Sequence, residues 1–341
     1  MTKKIEYKIK NVIIIFVIFI AIFVTAELLG YGAMSSFGKI EVSNVNIENY
    51  NGLNVRGKLY RPKNASVENK APGVVYLHGY QNNRETSDPY AIELSRRGFV
   101  VINIDTLGRG NSDNQRSENV PGFDKTYGGN AAFEYLRNLP FVDSERCGLG
   151  GHSLGGEMSY AAAMDNHNVK AIVFSGFAWD TNATFNKPAN MLMIFGKYDE
   201  YRKRMTGVSD FVKDWMKTPQ VADAIKDSNP VFDKTYGDFS NGTARRVHLT
   251  DTTHVGECFD NGALAEAIKW FSASFGVEST IPPESQIWRI KEICSLVAMI
   301  AAIASIIPLI MLLLKTKLFS KISGKPGSDY VCDKKDLKKG I

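Results

Sequence analysis

The sequence predicts an α/β protein, with a mostly parallel, doubly wound sheet, flanking helices, and a transmembrane helix towards each end. Three observations predict it. Short apolar runs alternate with helical stretches from residue 39 to residue 276, the pattern of strand–crossover–strand units. An uncharged run of 15 residues precedes that region, and one of 22 residues follows it. Lysine-rich segments lie outside both runs.

Residues 1–11 carry four lysines against Glu6. Residues 12–26 (VIIIFVIFIAIFVTA) then contain no charge and no proline. As helix they rise about 22 Å, short of the roughly 30 Å hydrocarbon core. Continuing through residues 28–33, with Glu27 at the interface, completes a span, so residues 12–33 read as a retained anchor. The alternative is a cleaved secretory signal with Val24-Thr25-Ala26 as its small-residue cleavage site. Either way the following residues cross the membrane. Residues 293–314 form the stronger signal, spanning about 33 Å as helix. Pro308 is tolerable inside a membrane helix. Lys315, Lys317 and Lys321 open a basic tail over residues 315–341. Positive charge marks cytoplasmic flanks, so the expectation is a two-pass cell-membrane protein with cytoplasmic termini. Residues 39–276 then lie on the extracytoplasmic side.

Composition narrows the function classes. The formal charge is +5, but the lysines of the two ends supply it, and the region between is slightly acidic. A nucleic-acid partner loses its electrostatic basis. The four cysteines, Cys147, Cys258, Cys294 and Cys332, are dispersed without metal-ligand spacing, so no metal or cofactor is expected. Cys147 and Cys258, the two in the middle region, read as small buried hydrophobes rather than a bridge.

The middle region reads in order. Residues 39–47 and 53–60 alternate apolar and polar around Asn49-Tyr50-Asn51-Gly52, a hairpin pattern. Residues 73–79 (GVVYLHG) are a short apolar run ending in glycine, suited to a strand buried on both faces. A helix over 91–97 and a strand over 99–105 follow. Next come a helix over 130–139, a strand over 147–150, a helix over 154–164 and a strand over 169–175. Two more strands, over 191–195 and 246–249, precede a closing helix over 263–275. In such sheets ligands bind beyond the carboxyl ends of the strands. Between residues 200 and 243, Val208, Phe211, Val212, Trp215 and Met216 share one face at helical spacing. That face reads as a helix packed on the sheet, with a mobile or lipid-touching lid as the sharper alternative.

Gly151-His152-Ser153-Leu154-Gly155 contains G-x-S-x-G directly after a strand and at the start of a helix. There the sharp turn strains the serine backbone, and side chains two positions away would collide with neighbours. A serine nucleophile needs a base, and the base an orienting acid. His254 lies in the loop just past the last strand and can reach over the turn. Asp199 follows the strand over 191–195; Glu200 and Asp251 are its rivals. The backbone N–H groups of Leu154 and Tyr80 are the candidate oxyanion donors, Tyr80 because Gly79 lets the chain approach closely. Residues 105–112 hold a Gly-x-Gly but not a third glycine, and read as a structural loop beside the site.

This ordered set resembles the α/β-hydrolase superfamily over residues 39–276, nearest its dienelactone hydrolase and prolyl-oligopeptidase-like branch. The matching text includes Tyr60-Arg61-Pro62, residues 72–79, residues 105–112, residues 136–143, Gly151 to Gly156, Gly196-Lys197-Tyr198-Asp199 and Thr253-His254. The resemblance implies the α/β-hydrolase fold and a serine hydrolase, with Ser153, Asp199 and His254 as catalytic triad and Tyr80 and Leu154 as oxyanion donors. Its default substrate is a small-molecule or lipid-like carboxylic ester or thioester. Peptidase or acyltransferase use of the same triad, and a non-catalytic tethered binding domain, are the alternatives. A peptidase is the less expected of these, because peptide-cleaving relatives usually carry a large N-terminal propeller and few residues precede Lys39 here.

Overall fold

The computed structural model describes residues 8–115, 117–319 and 322. The chain divides into two compact units, Tyr31–Lys291 and the described parts of Met1–Gly30 with Glu292–Ile341. Residues 1–7, with Lys3 and Lys4, and most of the basic tail, including Cys332, lie outside the described residues.

Eight strands form one sheet: β1 (Ile40–Glu48), β2 (Asn54–Pro62), β3 (Ala71–Leu77), β4 (Val100–Ile104), β5 (Val142–His152), β6 (Ala171–Ser175), β7 (Met191–Gly196) and β8 (Arg245–Thr250). Their order is β1-β2-β4-β3-β5-β6-β7-β8. β1 and β2 pair antiparallel as the hairpin expected from sequence, and β2 meets β4 antiparallel. From β4 through β8 every pairing is parallel.

Strands covered on both faces must be apolar at every position, because successive side chains point to opposite sides. β3 obeys this. Val75 and Leu77 join the core shared with helices α3 (Gly129–Arg137) and α4 (Leu154–Asp165). Val74 and Tyr76 join the core shared with α2 (Asp88–Ser95) and α8 (Asn261–Phe275). α8 shows the local logic. Asp260 caps it by accepting from the Ala263 N–H at 2.8 Å, and Gly276 ends it at φ +61°. Leu264, Ala267, Ile268, Phe271 and Phe275 recur at helical spacing and are buried. Each large apolar side chain so buried contributes roughly 1.5–3 kcal/mol.

Between β7 and β8 the expected single helix is broken into α5 (Arg202–Thr206), α6 (Phe211–Asp214), a 3₁₀ turn and α7 (Pro219–Ile225). Gly207 at φ +75° and the Asp210 cap interrupt it. Phe211 and Trp215 are nonetheless buried and stacked on one another, with Phe211 also stacked on Phe195 and Trp215 edge-on to Trp179. Phe211, Trp215 and Met216 thus pack inward as the sheet-packed reading expects, whereas Val212 of the same expected face is exposed. The helices that begin and end the described chain, α1 (Ile9–Met34) and α9 (Trp288–Leu313), are each 26 residues long with mean hydropathy 3.1 and 2.8. Both are long and apolar enough to cross a membrane.

Candidate active site

The carboxyl ends of β3, β5, β7 and β8 come to one rim of the sheet, and each is followed by an expected site residue. β5 runs into His152, and Ser153 turns the chain into α4 with φ 54° and ψ −119°. This is a strained conformation for any residue with a side chain. The surroundings hold it there. The Ser153 N–H donates to the Ser175 carbonyl at 2.8 Å. A Cβ on Gly151 would sit 2.2 Å from the Gly155 carbonyl oxygen, and one on Gly155 would sit 2.3 Å from that of Leu77. Both motif glycines are therefore steric requirements of the turn. Gly155→Ala is expected to force α4 away from β3, costing roughly 1–3 kcal/mol by overpacking. Thermal unfolding measures it; an unchanged melting temperature would contradict the close contact.

Asp199 lies in the turn after β7 and is fully buried. Its Oδ1 accepts from the Tyr201 N–H at 2.6 Å, and its Oδ2 faces His254 Nδ1 at 2.8 Å. His254 Nε2 lies 2.8 Å from Ser153 Oγ. A carboxylate can only accept, so Nδ1 carries the proton and Nε2 presents a lone pair to the serine hydroxyl. Ser153 and His254 are themselves nearly buried, at 8% and 7% exposure. The backbone of His254 is also fixed, its N–H donating to Glu200 Oε2 at 3.2 Å and its carbonyl accepting from His152 Nε2 at 2.8 Å.

The rivals sit elsewhere. Glu200 serves that backbone contact, and exposed Asp251 pairs with Lys197 at 3.4 Å. His248 pairs with Asp233. His78 is buried, and its Nε2 accepts from the Thr106 N–H at 3.1 Å; burial lowers its pKa. Asp105 organises the loop after β4, accepting from the N–H groups of Arg84 and Asn111, so that Gly-x-Gly segment is structural. Cys147, Cys258 and Cys294 are unpaired, and burial raises the Cys147 thiol to about 12.

Tyr80 and Leu154 follow the ends of β3 and β5, two neighbouring strands. Among the described residues neither N–H has a hydrogen-bond partner. A Cβ on Gly79 would lie 3.4 Å from Ser153 Cβ, so the loop carrying Tyr80 passes directly over the serine. Beside it opens a cleft of about 570 Å³ lined by Tyr80, Leu107, Arg109, Phe123 and Tyr127, among others. The Arg109 guanidinium lies 5.2 Å and 5.4 Å from the Tyr80 and Tyr127 ring centres.

Residues 33–211, about half of the chain, match the family described as PETase, PET hydrolase-like. The chain belongs to the PET hydrolase-like family. This PET hydrolase-like chain is also 32% identical over 139 residues to an uncharacterized protein of Pseudomonas aeruginosa, covering 40% of this chain and 37% of that protein. It is 29% identical over 132 residues to a thiohydrolase of Aspergillus aculeatus, covering 38% of this chain and 40% of the relative. The chain thus spans less than half the length of these curated relatives. An esterase of Pyrococcus furiosus aligns over 69% of this chain and 93% of its own, at 15% identity and a TM-score of 0.50. The fold is that of the α/β hydrolases, in agreement with the family that the chain matches.

One buried carboxyl near the site was not anticipated. Glu257, three residues after His254, is fully buried with its Oε2 3.4 Å from His152 Nε2. No motif marks it. In the sequence it is a glutamate in a turn, and the strand ends that enclose it come from distant segments.

Proposed function

We propose that this protein is a membrane-anchored serine esterase that works through an acyl-enzyme, with its hydrolase domain on the extracytoplasmic side. The observation that carries the reading is the unbroken chain from Asp199 to His254 to Ser153, with both links at 2.8 Å. His254 Nε2 takes the hydroxyl proton as Ser153 Oγ bonds to the carbonyl carbon. The carbonyl π electrons move to oxygen, where the N–H groups of Tyr80 and Leu154 receive the developing charge. Asp199 stabilises the imidazolium, which returns its proton to the departing alcohol or thiol as the tetrahedral intermediate collapses. Water then repeats the sequence on the acyl group and frees Ser153.

A carboxylic ester is the substrate class favoured by the hydrolase family and by the aromatic lining of the cleft beside Tyr80. A thioester belongs to the same class of reaction, in keeping with the name of the thiohydrolase relative. The membrane assignment rests on the two apolar helices and their lysine flanks.

A fluorophosphonate is expected to label the full-length protein on Ser153, and equal labelling of Ser153→Ala would refute the nucleophile. For orientation, alkaline phosphatase fused after residue 276 should be active and the same reporter fused after residue 341 inactive. The reverse pattern would place the domain in the cytoplasm.

A further inference from the structure

Behind the triad lies a second pair of groups that the reaction above does not use. Glu257 Oε1 accepts from the Gly196 N–H at 2.6 Å, at the end of the strand that leads to Asp199. Its Oε2 stands 3.4 Å from His152 Nε2, inside the turn that presents Ser153. That same nitrogen donates to the His254 carbonyl at 2.8 Å. The main chain of Glu257 is tied down too, with its carbonyl accepting from the Tyr90 hydroxyl at 3.1 Å and its N–H donating to Thr253. A Cβ on Gly176 would lie 2.5 Å from Glu257 Oε2 and 2.7 Å from His254 Cε1, so the carboxyl and the imidazole border one small space.

We propose that Glu257 and His152 form a positioning pair that locks the acid turn, the nucleophile turn and the histidine loop in register. It rests on the esterase reading, and it assigns no proton transfer to either residue. The pair touches each of the three segments that carry a triad member, and each segment comes from a different strand end. Burial, with the nearby Asp199 charge, raises the Glu257 carboxyl well above the ordinary range. That shift favours the neutral carboxyl over a second anion beside the base. Oε1 holds the Gly196 N–H, while Oε2 meets His152 by packing, since the Nε2 proton is already given to the His254 carbonyl. A metal role is disfavoured. His152, His254 and Glu257 offer atoms within 4.8 Å of one another, but both His254 nitrogens are already committed to Asp199 and Ser153.

The test uses full-length protein in detergent, p-nitrophenyl acetate as substrate, and Glu257→Ala, Glu257→Gln, His152→Phe and the Ala/Phe double variant. Misplacing a base slightly costs much, so Glu257→Ala and His152→Phe are each expected to lower kcat roughly 10–100-fold with little change in KM. Glu257→Gln keeps an oxygen for the Gly196 N–H and should stay within about threefold of the parent, and the double variant should be no worse than the worse single one. Wild-type kcat in Glu257→Ala overturns the proposal, as does a double variant whose loss is the product of the singles. If Glu257→Ala does not fold, the Gln and His152 variants decide. A glutamine as damaging as the unpaired His152→Phe then overturns the proposal. A readout without turnover is the downfield proton resonance of the His254–Asp199 hydrogen bond. It should persist in Glu257→Gln and be lost in His152→Phe, and its persistence there overturns the proposal whether or not the protein cleaves an ester. Failure of the esterase reading shows separately, as wild type that is unlabelled by fluorophosphonate.

Discussion

Replacing Ser153 with alanine is expected to lower kcat for p-nitrophenyl esters by roughly 10⁴–10⁶-fold while leaving the fold intact. The rate loss follows from chemistry. Without Oγ there is no acyl-enzyme, and His254 can at best direct a water at the carbonyl while the backbone N–H groups still hold the oxyanion, which leaves a small residual rate. The intact fold follows from geometry. Ser153 Oγ bonds to His254, whereas the turn is held by the Ser153 N–H on the Ser175 carbonyl and by the close approaches at Gly151 and Gly155. An alanine Cβ meets the same backbone constraint at φ 54° as a serine Cβ does. Matched ester kinetics and thermal melting check this. A variant retaining a tenth of the parent rate would sink the nucleophile assignment, and one that melts far earlier would show that the hydroxyl also supports the turn.

Much of this arrangement was legible in the sequence because its signals are local. A strand covered on both faces announces itself as an uninterrupted apolar run, as in residues 73–77, 171–174 and 191–195. The catalytic candidates could be placed because each follows such a run directly, and a parallel sheet gathers carboxyl ends at one rim. Where the structure departs from expectation, the cause is a contact that no local window contains. β5 begins at Val142 rather than at residue 147, because Ala71 pairs with Val142 before the ladder shifts register to Gly73 and Cys147. The polar Asp143 to Arg146 stretch hid that beginning. Between β7 and β8 the apolar spacing was right, but one helix was expected where Gly207 and Pro219 punctuate several short pieces. Glu257 escaped for the deepest reason. Its partners, Gly196 and His152, are 61 and 105 positions away along the chain, and a lone glutamate carries no sign of burial.

Asp199→Asn is expected to remove about 10⁴-fold from kcat, far more than the loss of one ordinary hydrogen bond. The direction of the amide decides this. Asp199 Oδ1 accepts from the Tyr201 N–H at 2.6 Å, and an asparagine in the same place must keep its oxygen there, since two N–H groups cannot face each other. Its NH₂ is then turned towards His254 Nδ1, which can bond to it only as an acceptor. The imidazole proton is driven to Nε2, directly opposite Ser153 Oγ, and the base loses the lone pair that should take the serine proton. Because the Tyr201 contact survives and the substitution is isosteric, folding and KM should change little. The predicted signature is therefore a kcat defect at near-constant KM and melting temperature, with fluorophosphonate labelling slowed in parallel. If Asp199→Asn keeps most of its rate, the tautomer of His254 is held by something other than this carboxylate. The Glu200 contact to its backbone N–H cannot supply that role, because it does not touch the ring.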